Sequence, residues 1–191
     1  MKVVAFNGSP RAKGNTAILL TKVLGELDKE GVETELVSLA GKDIPGCRAC
    51  FKCFEKVDGH CAVTGDIVNE CIDKMRAADG ILLGSPTYFS DVTAGMKALI
   101  ERAGMTARAN PELLKRKVGA GVVAVRRAGA MHAFTSLNLF FLIGEMIVVG
   151  SSYWNIGIGR EPGEVEKDAE GIGTMETLGR NMAWLLKRIR G

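Results

Sequence analysis

Long apolar runs are missing from this 191-residue chain. A membrane-spanning helix needs about 18 or more apolar residues in succession. The best candidate, residues 137–149, is interrupted by Asn138, Gly144 and Glu145. A surplus of one charge is missing too: 25 Lys and Arg against 22 Asp and Glu leave a net +3. That balance excludes a strongly basic nucleic-acid coat and an acidic disordered tail. Met1-Lys2-Val3-Val4-Ala5-Phe6 runs straight into Asn7-Gly8-Ser9-Pro10-Arg11, with no signal-peptide apolar core. No serine triad, acid–base dyad or metal-hydrolase motif stands out, and neither does an internal repeat. A cytoplasmic globular protein is expected, with no nucleic-acid or membrane partner. Its length suits one domain over residues 1–191.

What recurs is a short apolar run followed by a helical stretch. Residues 2–7 read as a buried strand, and residues 15–29 as a helix with Leu19, Leu20, Val23, Leu24 and Leu27 on one side. Further strands are predicted at 33–39, 80–84, 118–125 and 146–151. Helices are predicted at 66–78, 93–103, 134–144 and 168–190. Near-continuous apolar strands alternating with helices imply a parallel sheet covered on both faces. Five of them fit an α/β, flavodoxin-like, doubly wound five-stranded parallel sheet in the order 2-1-3-4-5. Ligands of such sheets bind beyond the carboxyl ends of the strands, near the switch in strand order. The loops after strands one, two and three are therefore expected to crowd one edge.

The loop after strand one is Gly8-Ser9-Pro10-Arg11-Ala12-Lys13-Gly14-Asn15-Thr16. Glycines permit tight turns, and the following helix start presents free N–H groups to an anion. Two cations add positive charge. The segment lacks the spacing of a triphosphate-binding P-loop and of a Rossmann dinucleotide fingerprint. After strand three, Ser85-Pro86-Thr87-Tyr88-Phe89-Ser90-Asp91 places two aromatics where a planar ligand could stack.

These two segments, with Gly95-Met96-Lys97 and Glu101-Arg102 downstream, resemble the NADPH-dependent FMN reductase group of flavodoxin-like proteins. The resemblance runs from Met1 to about Ser151. It implies that Ser9, Arg11, Gly14, Asn15 and Thr16 hold the FMN phosphate. It implies too that Pro86, Thr87, Tyr88, Phe89 and Ser90 line the isoalloxazine ring. A third contact in the group comes from the loop after strand four, here Arg126 to Met131, which matches the group's glycine-rich pattern poorly.

Five cysteines is an odd number, and Cys47, Cys50, Cys53 and Cys61 fall within fifteen residues. In a reducing compartment such clustering points to metal or redox chemistry rather than disulfides. Three readings stand side by side for the loop at about residues 43–65. Four thiolates can ligate an iron–sulfur cluster. They can hold structural zinc, with His60 as an alternative ligand. Or they are reduced thiols without a metal. The compact spacing C-x2-C-x2-C-x7-C resembles the iron–sulfur flavoprotein family, in which a [4Fe-4S] cluster accompanies an FMN-bearing flavodoxin-like domain. Cys71, spaced with Ile67, Ile72 and Met75 on a helix face, reads as a small buried hydrophobe. His132 reads as an exposed loop histidine.

The function expected is electron transfer between the [4Fe-4S] cluster and FMN. Its partner would be a ferredoxin-like protein or a small-molecule electron acceptor. The alternatives are a cluster-free FMN-dependent NAD(P)H oxidoreductase acting on a quinone or flavin, and a zinc-braced flavodoxin-like binding module. Ile44, Phe51 and Phe54 would leave apolar surface on the cysteine loop, so a homodimer or homotetramer is expected.

Overall fold

Val3, Val4, Ala5 and Phe6 have no exposed surface, as a central parallel strand requires. They belong to β1 (Lys2–Asn7), which in this computed structural model describing residues 1–190 starts a regular alternation. The order continues α1 (Asn15–Lys29), β2 (Glu33–Ser38), α2 (Lys52–Lys56), α3 (Val68–Ala77), β3 (Gly80–Pro86), α4 (Ala94–Ala109) and β4 (Val118–Val125). It ends with α5 (Ala130–Ile143), β5 (Ile147–Val148), β6 (Ile156–Ile158), a 3-10 turn (Glu164–Lys167) and α6 (Ala169–Arg190). The sheet is parallel in the order β2-β1-β3-β4-β5, the doubly wound order expected. In register, Phe6 lies between Val37 and Leu83.

Each face of the sheet carries its own core. On one side α1 and α6 bury Leu19, Leu20, Leu27, Met175, Leu178 and Met182 against Val3, Ala5 and Val122. On the other, α3, α4 and α5 bury Ile72, Met96, Leu99, Leu137 and Phe141 against Val4, Phe6 and Ile81. Cys71 belongs to the second core, with no exposed surface, and burial pushes its thiol up to about 12.

Several elements differ from the sequence expectation, among them α4, predicted to end at 103, which runs on to Ala109. Of the fifth strand predicted at 146–151 only β5 forms, pairing with the start of β4, and β6, outside the predicted range, pairs with its end. Asn155 fills the gap between them. It is 3% exposed, its backbone carbonyl accepts from Val123 N–H, and its side-chain Nδ2 donates to Gly121 O at 3.0 Å. A side chain thus satisfies the ladder where strand backbone is absent, which apolar periodicity does not signal. Helix α5 begins at Ala130, before the predicted 134, because Gly129 (φ 84°) turns the chain into it. The short α2 lies inside the cysteine segment. Ile44, expected on the surface, packs instead against the second core, while Phe51 and Phe54 remain exposed.

Candidate functional site

The loop after β1 is held by its own polar groups before any ligand is considered. Ser9 N–H donates to Asn7 Oδ1 at 3.0 Å, and Arg11 N–H to Ser9 Oγ at 3.1 Å. Thr93 Oγ1 donates to Gly8 O at 2.7 Å, which ties the loop to the start of α4. A Cβ at Gly8 would come within 2.8 Å of Met96 and 3.0 Å of Gly84 O, so no side chain fits this crossing. Gly14 caps α1 with extended backbone and no side-chain bond, leaving the first-turn N–H groups facing the loop.

Ser9, Arg11, Gly14, Asn15, Thr16, Pro86, Thr87 and Tyr88 share one cavity of about 210 Å³. Arg126, Gly159 and Arg160 also line it, beside the end of β4. The buried hydroxyls Thr16 Oγ1 and Thr87 Oγ1 have no partner among the described residues. Idle buried donors, three arginines and a helix start are chemically suited to an anion. Asn15 also acts at a distance, since its Nδ2 donates to Glu161 O at 3.0 Å and its Oδ1 accepts from Gly163 N–H at 2.9 Å. It thereby fastens the loop that brings Arg160 to the cavity. Sequence reasoning missed Gly159 and Arg160, whose only signal is a glycine-spaced apolar run ending in arginine.

Phe89 and Ser90 lie outside this cavity. Tyr88 and Asp91 exchange both backbone bonds, at 2.8 and 3.0 Å, around Phe89 (φ 47°) and Ser90 (φ 63°). Two successive left-handed residues make a tight hairpin turn of the kind that favours glycine and asparagine. Here it projects a fully exposed phenyl ring. His132 sits in the first turn of α5, 3.0 Å from Ser90 O. Gly129 lies against the same turn, where a Cβ would meet Ser90 Oγ at 2.6 Å.

Cys47, Cys50, Cys53 and Cys61 line a second, smaller cavity, closed by Arg102, Met105 and Thr106 of α4. The backbone of the cysteine segment is strained: Ala49 (φ 49°), Phe51 (φ 54°) and Val57 (φ 49°) are all left-handed. Arg102 is the hub of the pocket and is 1% exposed. Its Nε donates to Cys61 Sγ at 3.3 Å and its other nitrogens to Val63 O (2.8 Å), Pro45 O (3.4 Å) and Asp66 (2.5 Å). Burial works against its charge, yet Asp66 and Cys61 outweigh that and hold its pKa above the ordinary value. Burial pushes the Cys53 thiol up. Asn69 clasps Cys61 at both its amide and carbonyl. His60 is turned to Asp73 at 2.9 Å and does not line the cavity. Among the described residues no three His, Cys, Asp or Glu are grouped to hold a single metal ion.

A family model for NADPH-dependent FMN reductase matches residues 1–161. An iron–sulfur flavoprotein of Methanocaldococcus jannaschii is 40% identical over 198 residues, covering 100% of both chains. One of Methanosarcina thermophila is 32% identical over 192 residues, covering 100% of this chain and 97% of that one. The chain belongs to the iron–sulfur flavoproteins of the FMN reductase family. The fold of this iron–sulfur flavoprotein is matched by RosB with a bound 8-demethyl-8-formylriboflavin-5′-phosphate intermediate (TM-score 0.77, 19% identity, 100% and 80% coverage). It is matched also by a WrbA-like flavodoxin of Agrobacterium tumefaciens (TM-score 0.68, 14% identity, 98% and 97% coverage). Among the described residues no helix is long and apolar enough to cross a membrane.

Proposed function

We propose that this iron–sulfur flavoprotein transfers electrons between FMN bound at the α1 start and a [4Fe-4S] cluster ligated by Cys47, Cys50, Cys53 and Cys61. The carrying observation is that four cysteines of one loop line one cavity, with a buried guanidinium donating to Cys61 Sγ. FMN exchanges two electrons and a cluster one at a time, so the bound pair links two-electron to one-electron donors.

Arg11, Arg126 and Arg160 neutralise the phosphate. Thr16 and Thr87 supply the buried hydroxyls that no other described residue engages. The Tyr88–Asp91 turn presents Tyr88 and Phe89 to the flavin ring. Helix α4 mechanically joins the two sites: Thr93, its cap, bonds the phosphate loop, and Arg102 and Thr106 face the cysteines. At 1.5 Å per residue, they stand about 14–20 Å further along the helix.

A ferredoxin-like protein or a small-molecule acceptor is the proposed partner, and the exposed Phe51 and Phe54 the proposed self-association surface. The zinc reading loses its fourth-ligand alternative, since His60 is engaged with Asp73. Anaerobic purification with iron, sulfide, zinc and flavin counted per chain tests the proposal. About four irons and one FMN are expected. FMN without iron would overturn the electron-transfer reading in favour of a cluster-free NAD(P)H oxidoreductase.

A further inference from the structure

Thr106 follows Arg102 by one turn of α4 and is fully buried. Its carbonyl is occupied twice, by Asn110 N–H at 3.0 Å and Asn110 Nδ2 at 2.9 Å. Its hydroxyl has no partner among the described residues. A helical threonine ordinarily bonds the carbonyl one turn back, and a buried idle hydroxyl calls for a cause. Thr106 lines the cysteine cavity, as does Arg102, whose Nε is 3.3 Å from Cys61 Sγ. The same helix face thus carries one donor already engaged with a ligand sulfur and a second with nothing to engage.

We propose that Arg102 and Thr106 are the donors this chain supplies to the sulfur atoms of the cysteine pocket, and that together they raise the reduction potential of the cluster held there. Reduction adds negative charge to the centre, and hydrogen bonds to its sulfurs stabilise the more negative form. The two residues divide the work. Arg102 also bonds Pro45, Val63 and Asp66, and so positions both arms of the loop. Thr106 makes no such bond, so its hydroxyl can be removed without dismantling the loop. This inference rests on the proposed cluster, and the experiment separates the two.

Wild type, Thr106→Val and Thr106→Ser are purified anaerobically as the full chain, iron and FMN are counted, and the cluster and flavin potentials are titrated by EPR and absorbance. Valine fills the same volume without the hydroxyl. A negative shift of the cluster potential in Thr106→Val, with the flavin potential unmoved and Thr106→Ser at the wild-type value, is the expected result. Arg102→Lys, which keeps the charge and loses the Nε donor, is expected to shift it the same way. Loss of iron in Thr106→Val with retention in Thr106→Ser also supports the donor role. An unshifted Thr106→Val with full iron content overturns the inference and leaves the cluster assignment standing, as does an equal shift or an equal loss of iron in both variants. Wild type that binds FMN and no iron overturns the cluster assignment itself.

Discussion

Arg102 and Asp66 form an ion pair with side chains 0% and 9% exposed, so its worth is set by what remains when one partner is removed. Asp66→Asn is expected to cost about 3 kcal/mol at neutral pH, because it strips a buried guanidinium of its counter-charge. Burial draws the Asp66 carboxyl upward, but the Arg102 bond and the Val68 amide outweigh it and hold its pKa below the ordinary aspartate value. A depressed carboxylate stabilises the fold above its unfolded pKa, and that contribution disappears as pH falls through the folded one. Urea unfolding of wild type and Asp66→Asn should therefore differ most near neutrality and converge as pH drops below about 3.9, the range of an unfolded aspartate. A difference that stays constant with pH would show that the pair's charge contributes nothing. None of this was legible along the chain. Arg102 stands 41 residues from Cys61, and only folding brings its guanidinium to that sulfur.

At the scale of elements, the split fifth strand and the Tyr88–Asp91 turn show opposite uses of irregular backbone. Asn155 replaces a missing stretch of strand with side-chain bonds, so Asn155→Ala leaves Gly121 O unpaired in the sheet. A loss of about 1–3 kcal/mol is expected, measured by thermal or urea unfolding. The turn, by contrast, is destabilised by its own sequence. Phe89 at φ 47° carries a left-handed penalty with its ring wholly in solvent, and nothing in the chain rewards it. Phe89→Gly is expected to stabilise the flavin-free protein by about 0.5–1 kcal/mol and to weaken FMN binding, read by flavin fluorescence. Unchanged FMN affinity would remove Phe89 from the flavin site. The regular elements were legible because each repeats a periodicity: β1 and α1 lie where apolar spacing put them. The split strand was not, since residues 146–151 read as one apolar run and the bond that ends it comes from Asn155.

For the molecule as a whole, the two sites draw on different parts of the fold. The cavity proposed for FMN is built on the ends of β1, β3 and β4, whose residues are buried in two cores. The cysteine cavity rests on a loop whose residues are mostly exposed and which is held from outside by α4, through Arg102, and by α3, through Asn69. Cys50→Ser is accordingly expected to abolish iron binding while FMN content and the global unfolding midpoint stay near wild type. Limited proteolysis should then cut within residues 46–61, where wild type loaded with iron resists. Loss of FMN together with iron would mean that the two sites fold as one unit. The strands, the glycine loop after β1 and the cysteine spacing were determined by the sequence alone, because each depends on residues close together in the chain: apolar runs, glycines beside a helix start, thiols at x2 intervals; the sheet order followed from the alternation of those strands with helices. Tertiary structure alone decided that Arg160 joins Ser9, Arg11 and Thr16 in one cavity, that Asn155 repairs β4, and that Arg102 and Thr106 close the cysteine pocket. Those contacts join residues far apart in sequence, and no local propensity encodes them: they exist only once two packed cores have brought the strand ends and α4 to the same edge.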